Sequence, residues 1–262
     1  MEQYENTPLS VRDSLLERRT IRRYQRLPIP EEDLRFIREA IRNTPTSYNG
    51  QQYSVIEIDD QPLKERLASL VGQKQFKTSA RVFCFLSDYH KIGVAAEAKG
   101  LDNPHFENSL DGLIVGTVDA SLAMMSAIVA ATSRGLATCP IGYARTVDPA
   151  RISEILKLPR GVYLVCALAV GVPAEMPDKH PKQPLDLLFF RNAYGVPDMA
   201  GRLLDYDRAV IDYNATRTPA TTNRPAPDEI NDWVSHILDY YREAIAKPLL
   251  PALRARGYNP DR

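Results

Sequence analysis

The sequence predicts a mixed fold, α/β or α+β, built around one central sheet. Three observations carry this. Stretches with helical apolar spacing alternate along the chain with short runs rich in β-branched residues. Two of those runs, 82–86 and 162–170, are continuously apolar, as buried strands are. Finally, 262 residues with 44% hydrophobic and 25% charged side chains can close a core without disulfide or metal staples.

Each element follows in order. Ser10 caps a helix through Val11, Leu15 and Leu16 to Arg18. Pro30, followed by Glu31, Glu32 and Asp33, opens a second helix. Proline at the start and acids in the first turn suit the helix dipole, and Leu34, Ile37 and Ile41 form its apolar face. Residues 43–50 are rich in turn formers, and 53–58 alternate as a strand. A short helix spans 63–70, a buried strand 82–86, and a weakly capped helix about 91–99. Residues 110–133 form the longest apolar stretch, stopped by Gly135. A strand at 137–141, a short helix from Asp148 or Pro149 through Ile155, and a buried strand at 162–170 complete the alternation. After a Pro-, Lys- and His-rich loop at 172–184, a helix is expected at 200–213. Residues 216–227 read as a Thr/Pro/Arg loop, and Asp228 as the cap of a final helix through Ile230, Trp233, Ile237 and Tyr240. The organisation predicted is one domain over 1–262, with a core of about 8–198 and an extension over 199–262.

Composition narrows the function. Thirty-three basic and thirty-three acidic residues give no net charge, so nothing global points to nucleic acid or a membrane surface. Cys84, Cys139 and Cys166 are far apart and lack a C-x-x-C pair, which argues against disulfides and zinc and for buried thiols in a reducing cytoplasm. The 110–133 stretch spans roughly 36 Å as a helix, but Asp111 and Asp119 would be costly in lipid; it reads as a buried helix. Gly112, Gly116, Ala120 and Ala123 on it would allow a second helix to approach closely. No G-x-S-x-G, H-E-x-x-H or G-x-G-x-x-G element is present, and Gly72 to Thr78 lacks the glycines of a phosphate loop.

Two segments carry chemistry. Between Arg12 and Arg26 six arginines face only Asp13 and Glu17. The run Arg18-Arg19-Thr20-Ile21-Arg22-Arg23-Tyr24 places guanidinium groups at a helix end, where they can converge on one phosphate; each charge-assisted hydrogen bond contributes about 1.5–3 kcal/mol. A solvated basic face is the other reading of the same residues. The run Thr44-Pro45-Thr46-Ser47-Tyr48-Asn49-Gly50-Gln51 packs hydroxyls and amides between a helix and a strand, where they can read the edge of a heteroaromatic ring. An ordinary polar turn would look the same.

Order and spacing distinguish these readings. R-R-T-I-R-R-Y followed by P-T-S-Y-N-G-Q ahead of a strand resembles the nitroreductase family. So do Gly72-Gln73, Pro140-Ile141-Gly142-Tyr143 after a strand, and the basic stretch 178–184; the last three resemble its larger, NADPH-preferring flavin reductase branch. The resemblance runs from about Ser10 to about Tyr194. It implies an α+β fold with a mostly antiparallel sheet, a long buried helix at a homodimer interface and a helical C-terminal extension. It implies FMN as cofactor, NAD(P)H as donor and a small acceptor such as a nitroaromatic, quinone or flavin, with ping-pong kinetics and no protein acid or base. By the same resemblance Arg18, Arg19 and Lys182 bind the phosphate and ribityl oxygens, with Thr20 nearby, and Arg22 sits by the pyrimidine edge. Thr46, Ser47 and Asn49 come from the other subunit, with Pro45 also at the cofactor; Gln73 reaches the ring or ribityl chain, and Pro140, Ile141 and Gly142 line one face. The chain departs from the pattern at His180 and Lys182, where the family has lysine and arginine, and at Gln52, where it has proline. Arg217 or Arg224 could pair with a 2′-phosphate. Flavin fragmentation, reductive dehalogenation, or non-catalytic binding of an anionic ligand are the alternatives left open.

Overall fold

The computed structural model describes residues 8–216 and 232–261. The chain divides into two compact units, one of 1–176 with 248–262, the other of 177–247.

The first unit holds a four-stranded sheet: β1 (Tyr53–Ile58), β2 (Arg81–Asp88), β3 (Ala137–Ile141) and β4 (Val162–Gly171). Their order is β1-β2-β4-β3 and every pairing is antiparallel. Side chains alternate between two cores, as strand geometry requires. Val82, Cys84 and Leu86 face one core, Phe83 and Phe85 the other. α2 (Glu31–Arg42) and α6 (Leu110–Ser133) cover the second face; α3 (Gln61–Val71) and α7 (Pro149–Ile155) cover the first.

The helices start and stop where their caps predict. Asp60 accepts the Leu63 amide to begin α3, and Gly72, at φ +71°, ends it in the left-handed conformation. Asp148 does the same for the Arg151 amide of α7. The α2 start gains a further partner: Arg134, just past α6, pairs with buried Asp33 and with Glu32. Cys84, Cys139 and Cys166 are buried free thiols.

Two expectations about α6 separate here. The helix is long and apolar enough to cross a membrane by length and composition, yet one face is buried in the chain's own core, with Asp119 fully inside. Its small residues serve that inward packing, contrary to the role expected from spacing. A Cβ at Gly116 would fall 2.1 Å from Ser87 Oγ, and one at Gly112 would fall 2.0 Å from the Phe106 carbonyl oxygen. The face left outside is large and apolar: Leu110, Ile114, Val118, Leu122 and Met125 are each 40–51% exposed.

The C-terminal helices differ from those expected. Asp228 and Ile230 lie outside the described residues; the cap is Asp232, whose carboxylate accepts the Ser235 amide at the start of a helix over Trp233–Ile245. That helix is not the last. Leu249–Ala255 forms another, with Pro251 in its first turn where proline is tolerated. Tyr258 beyond it is fully buried, and its hydroxyl donates to Gly161 O at 2.9 Å and meets Ser87 Oγ at 2.9 Å.

The second unit holds helices at Met199–Thr216 and Trp233–Ile245, neither with a buried residue. Asp207 accepts the Trp233 and Val234 amides, and the Tyr206 and Trp233 rings meet edge-on at 5.3 Å.

Candidate active site

The arginine segment does not stay helical. The first helix, α1, covers only Val11–Leu16 and Glu17 ends it, so the arginines follow in extended chain. Thr20 pairs in parallel with Thr138 of β3, and the Ile21 amide donates to Thr138 O at 3.1 Å. Tyr24 pairs with Pro173, the Gln25 amide donates to Val172 O, and the Ala174 amide donates to Arg23 O. β3 is an edge strand, and this segment covers part of its open edge. Glu175 accepts the Arg22 and Arg23 amides at 2.8 and 3.1 Å. The Tyr24 ring is buried over Gly171, where a Cβ would lie 2.8 Å from it. Burial pushes the Tyr24 hydroxyl well above its usual pKa.

This places the arginine segment beside Thr138 and Cys139 of β3, the strand that runs on into the Pro140-Ile141-Gly142 turn. Arg22 is half-buried, and its charge acts on the Cys139 thiol, which burial nevertheless pushes up to about 11. Arg145 donates to Gly142 O at 3.3 Å and to Val165 O at 3.3 Å, holding the turn against β4. Arg18, Arg19 and Thr20 are half-buried. The Arg19 Nε and the Thr138 Oγ1 are buried without a hydrogen-bond partner. Buried polar atoms left bare are uncommon and call for a partner.

The second segment is a tight turn, Ser47–Asn49, between α2 and β1. Tyr48, Asn49 and Gln51 have φ of +56°, +53° and +53°, a region that costs non-glycine residues energy. Side chains hold it. Asp119 of α6 accepts the Ser47 amide at 3.0 Å, and Thr46 Oγ1 accepts the Gln51 amide at 3.1 Å. Lys91 donates to Tyr53 O at 2.7 Å and to Gln51 O at 3.4 Å. Thr44 bonds to Ser126 of α6 at 2.7 Å. Thr46 and Ser47 are half-buried, while Pro45, Tyr48 and Asn49 are exposed.

The turn leads into β1 and the arginines lie along β3, the two opposite edges of the sheet. With strands about 4.8 Å apart, the two segments are well separated within one chain. The turn instead borders the exposed face of α6: Thr44 and Pro45 share a groove of about 420 Å³ with Val11, Phe36, Leu122 and Met125. Gln73 is half-buried, just past the Gly72 cap. His180 and Lys182 are exposed in the second unit, where the His180 ring lies 4.8 Å from that of Tyr213. Arg217 and Arg224 fall outside the described residues. Asp119, Lys91 and Glu175 were not singled out as site residues from sequence; each acts on backbone far along the chain, which leaves no local motif.

The donor set suits a phosphorylated, ring-bearing ligand such as FMN. The bare guanidinium N–H of Arg19 would donate to a phosphate oxygen, and the hydroxyls and amides of the turn match a ring edge rich in donors and acceptors.

Residues 15–172 match the model of the Nitroreductase family, and residues 180–261 match that of the Nitroreductase family, C-terminal domain. An FMN reductase (NAD(P)H) of Bacillus subtilis (strain 168) is 30% identical over 251 residues, spanning 95% of this chain and 98% of that protein. A Cr(VI) reductase of Pseudomonas sp. (strain G-1) is 29% identical over 250 residues, 95% and 99% of the two chains. Among solved structures, a hypothetical oxidoreductase of Bacillus subtilis superposes with a TM-score of 0.87 at 30% identity, covering 95% of this chain and 98% of that one. An NADPH:FMN oxidoreductase of Vibrio harveyi complexed with NAD+ gives a TM-score of 0.81 at 21% identity, covering 95% and 98%, a likeness of fold.

Proposed function

The chain belongs to the nitroreductase family, and from that premise we infer that it is an FMN-dependent oxidoreductase taking a hydride from NAD(P)H and reducing a small acceptor, such as a nitroaromatic, a quinone or a flavin. The observation that carries this reading is the buried, partnerless Arg19 Nε next to the Thr20–Thr138 pair on the β3 edge. A guanidinium nitrogen out of water without an acceptor is unfavourable until an anion arrives.

FMN, when bound, supplies the hydride chemistry. The chain supplies binding and electrostatics. Arg18 and Arg19 would neutralise the FMN phosphate, Thr20 would add a hydroxyl, and Arg22 would supply positive charge to the flavin ring, as preorganised charge does. Pro140, Ile141 and Gly142 would line the bound flavin through their backbone, and Gln73 would bond to it. Donor and acceptor take turns at one place, giving ping-pong kinetics, and no side chain is required as acid or base.

The active form in this reading is a homodimer. The α6 stripe from Leu110 to Met125 is large and apolar, as faces that bury against a partner are. Because Thr44 and Pro45 share its groove, covering the stripe with a second copy sets the turn at the interface. Thr46, Ser47 and Asn49 of one chain then complete the arginine site of the other. Three buried free thiols suit a reducing cytoplasm.

The test is spectroscopic. The purified protein is expected to carry a yellow flavin band that bleaches on adding NADPH and returns on adding a quinone. Colourless protein that takes up no added FMN would overturn the reading.

A further inference from the structure

Resting on the reading that the 46–49 turn grips the flavin, we propose that Asp119 is a positioning residue, with Lys91 as its counterpart at the far end of the turn. Three observations lead there. First, Asp119 is fully buried midway along the long apolar helix α6, a place where a carboxylate without hydrogen-bond partners is costly. Second, only one of its oxygens has a hydrogen-bond partner, and that partner is the Ser47 amide, 72 residues away in sequence; Oδ2 is buried and bare. Third, the backbone so held contains three left-handed non-glycine residues within four positions.

Left alone, such a turn would relax toward commoner backbone angles. Asp119 fixes its first residue from inside. Lys91 fixes its exit from outside, through Gln51 O and Tyr53 O, with its ammonium over the Tyr53 ring at 6.0 Å. The strained turn is thereby set in one shape before any ligand arrives. Preorganisation of this kind contributes to affinity by removing ordering cost at binding. Because Oδ2 has no hydrogen-bond partner to lose, an asparagine at 119 can keep the one bond that matters.

The experiment uses the full-length protein and FMN titrated by quenching of its fluorescence, alongside amide exchange at Ser47 without FMN. Asp119→Ala is expected to weaken FMN binding by about tenfold or more, whereas Asp119→Asn stays within about threefold of the parent and Lys91→Met loses about threefold. The Ser47 amide is expected to be protected in the parent and in Asp119→Asn, and to exchange freely in Asp119→Ala. Rescue by asparagine separates positioning from a need for charge. Equal FMN affinity in the parent and Asp119→Ala, equal losses in Asp119→Asn and Asp119→Ala, or a freely exchanging Ser47 amide in the parent would each overturn the proposal. Should Asp119→Ala not fold, parent exchange and the Asp119→Asn and Lys91→Met affinities decide it. A parent protein that binds no FMN refutes the underlying reading instead, and the exchange data still settle whether Asp119 holds the turn.

Discussion

Between Thr20 and Gln25 the backbone is held chiefly by other backbone, on β3 and just past β4; between Thr46 and Tyr53 it is held chiefly by side chains, from α6 and α5 (His90–Ala98). The first segment borrows the regular pairing of a sheet edge. The second sits in strained conformations that Asp119 and Lys91 maintain. Two segments assigned to one ligand are thus built by different physics, and they should fail in different ways. Loss of the arginines should remove charge from the first and leave its shape; loss of Asp119 or Lys91 should remove shape from the second and leave the arginine charge.

The largest effect expected is on charge. Replacing Arg19 and Arg22 together with alanine should weaken FMN binding by about a hundredfold or more, the sum of two charge-assisted contacts. Thermal unfolding should shift by no more than about 3 °C, because Arg19 Nε has no hydrogen-bond partner to lose within the fold. A large drop in melting temperature would make these arginines structural.

Glu175→Ala should have an intermediate effect. It strips the acceptor from the Arg22 and Arg23 amides, so urea unfolding should show a loss of about 1–3 kcal/mol, with FMN affinity falling about tenfold as the segment loosens. Unchanged stability would mean that the sheet-edge pairs alone hold it.

The smallest effect is expected at the turn. Within one chain Tyr48 is 88% exposed at φ +56°, so Tyr48→Gly should relieve strain without losing packing inside the chain and raise its stability by about 0.5–1 kcal/mol in urea unfolding. A loss instead would show that the tyrosine holds the turn.

The same contrast explains what the sequence disclosed. β1 and β3 were legible to the residue, and α2 and α6 nearly so, because apolar period and caps are local signals. The arginines were legible as chemistry but misplaced at a helix end; only the fold shows them turned onto the β3 edge. The inward use of Gly112 and Gly116 was hidden, since a small residue permits close approach without naming what approaches. Asp119 stood out only as an awkward charge in an apolar run, because its partner amide lies 72 residues away. Glu175 reaches back 153 residues to Arg22. The Leu249–Ala255 helix was missed because Pro248 and Pro251 resemble breakers, although both fall at its start, where proline is harmless.

The central claim is that arginines of one chain and the turn of another share a ligand, and mixed dimers test it most directly. One chain would carry Arg19→Ala and Arg22→Ala; the other would carry alanines at Thr46, Ser47 and Asn49. Neither homodimer should hold FMN. If sites form across chains, the purified mixed dimer has one intact site and should bind one FMN. A mixed dimer that binds none, while the parent dimer is loaded, would mean that both halves of each site lie in a single chain.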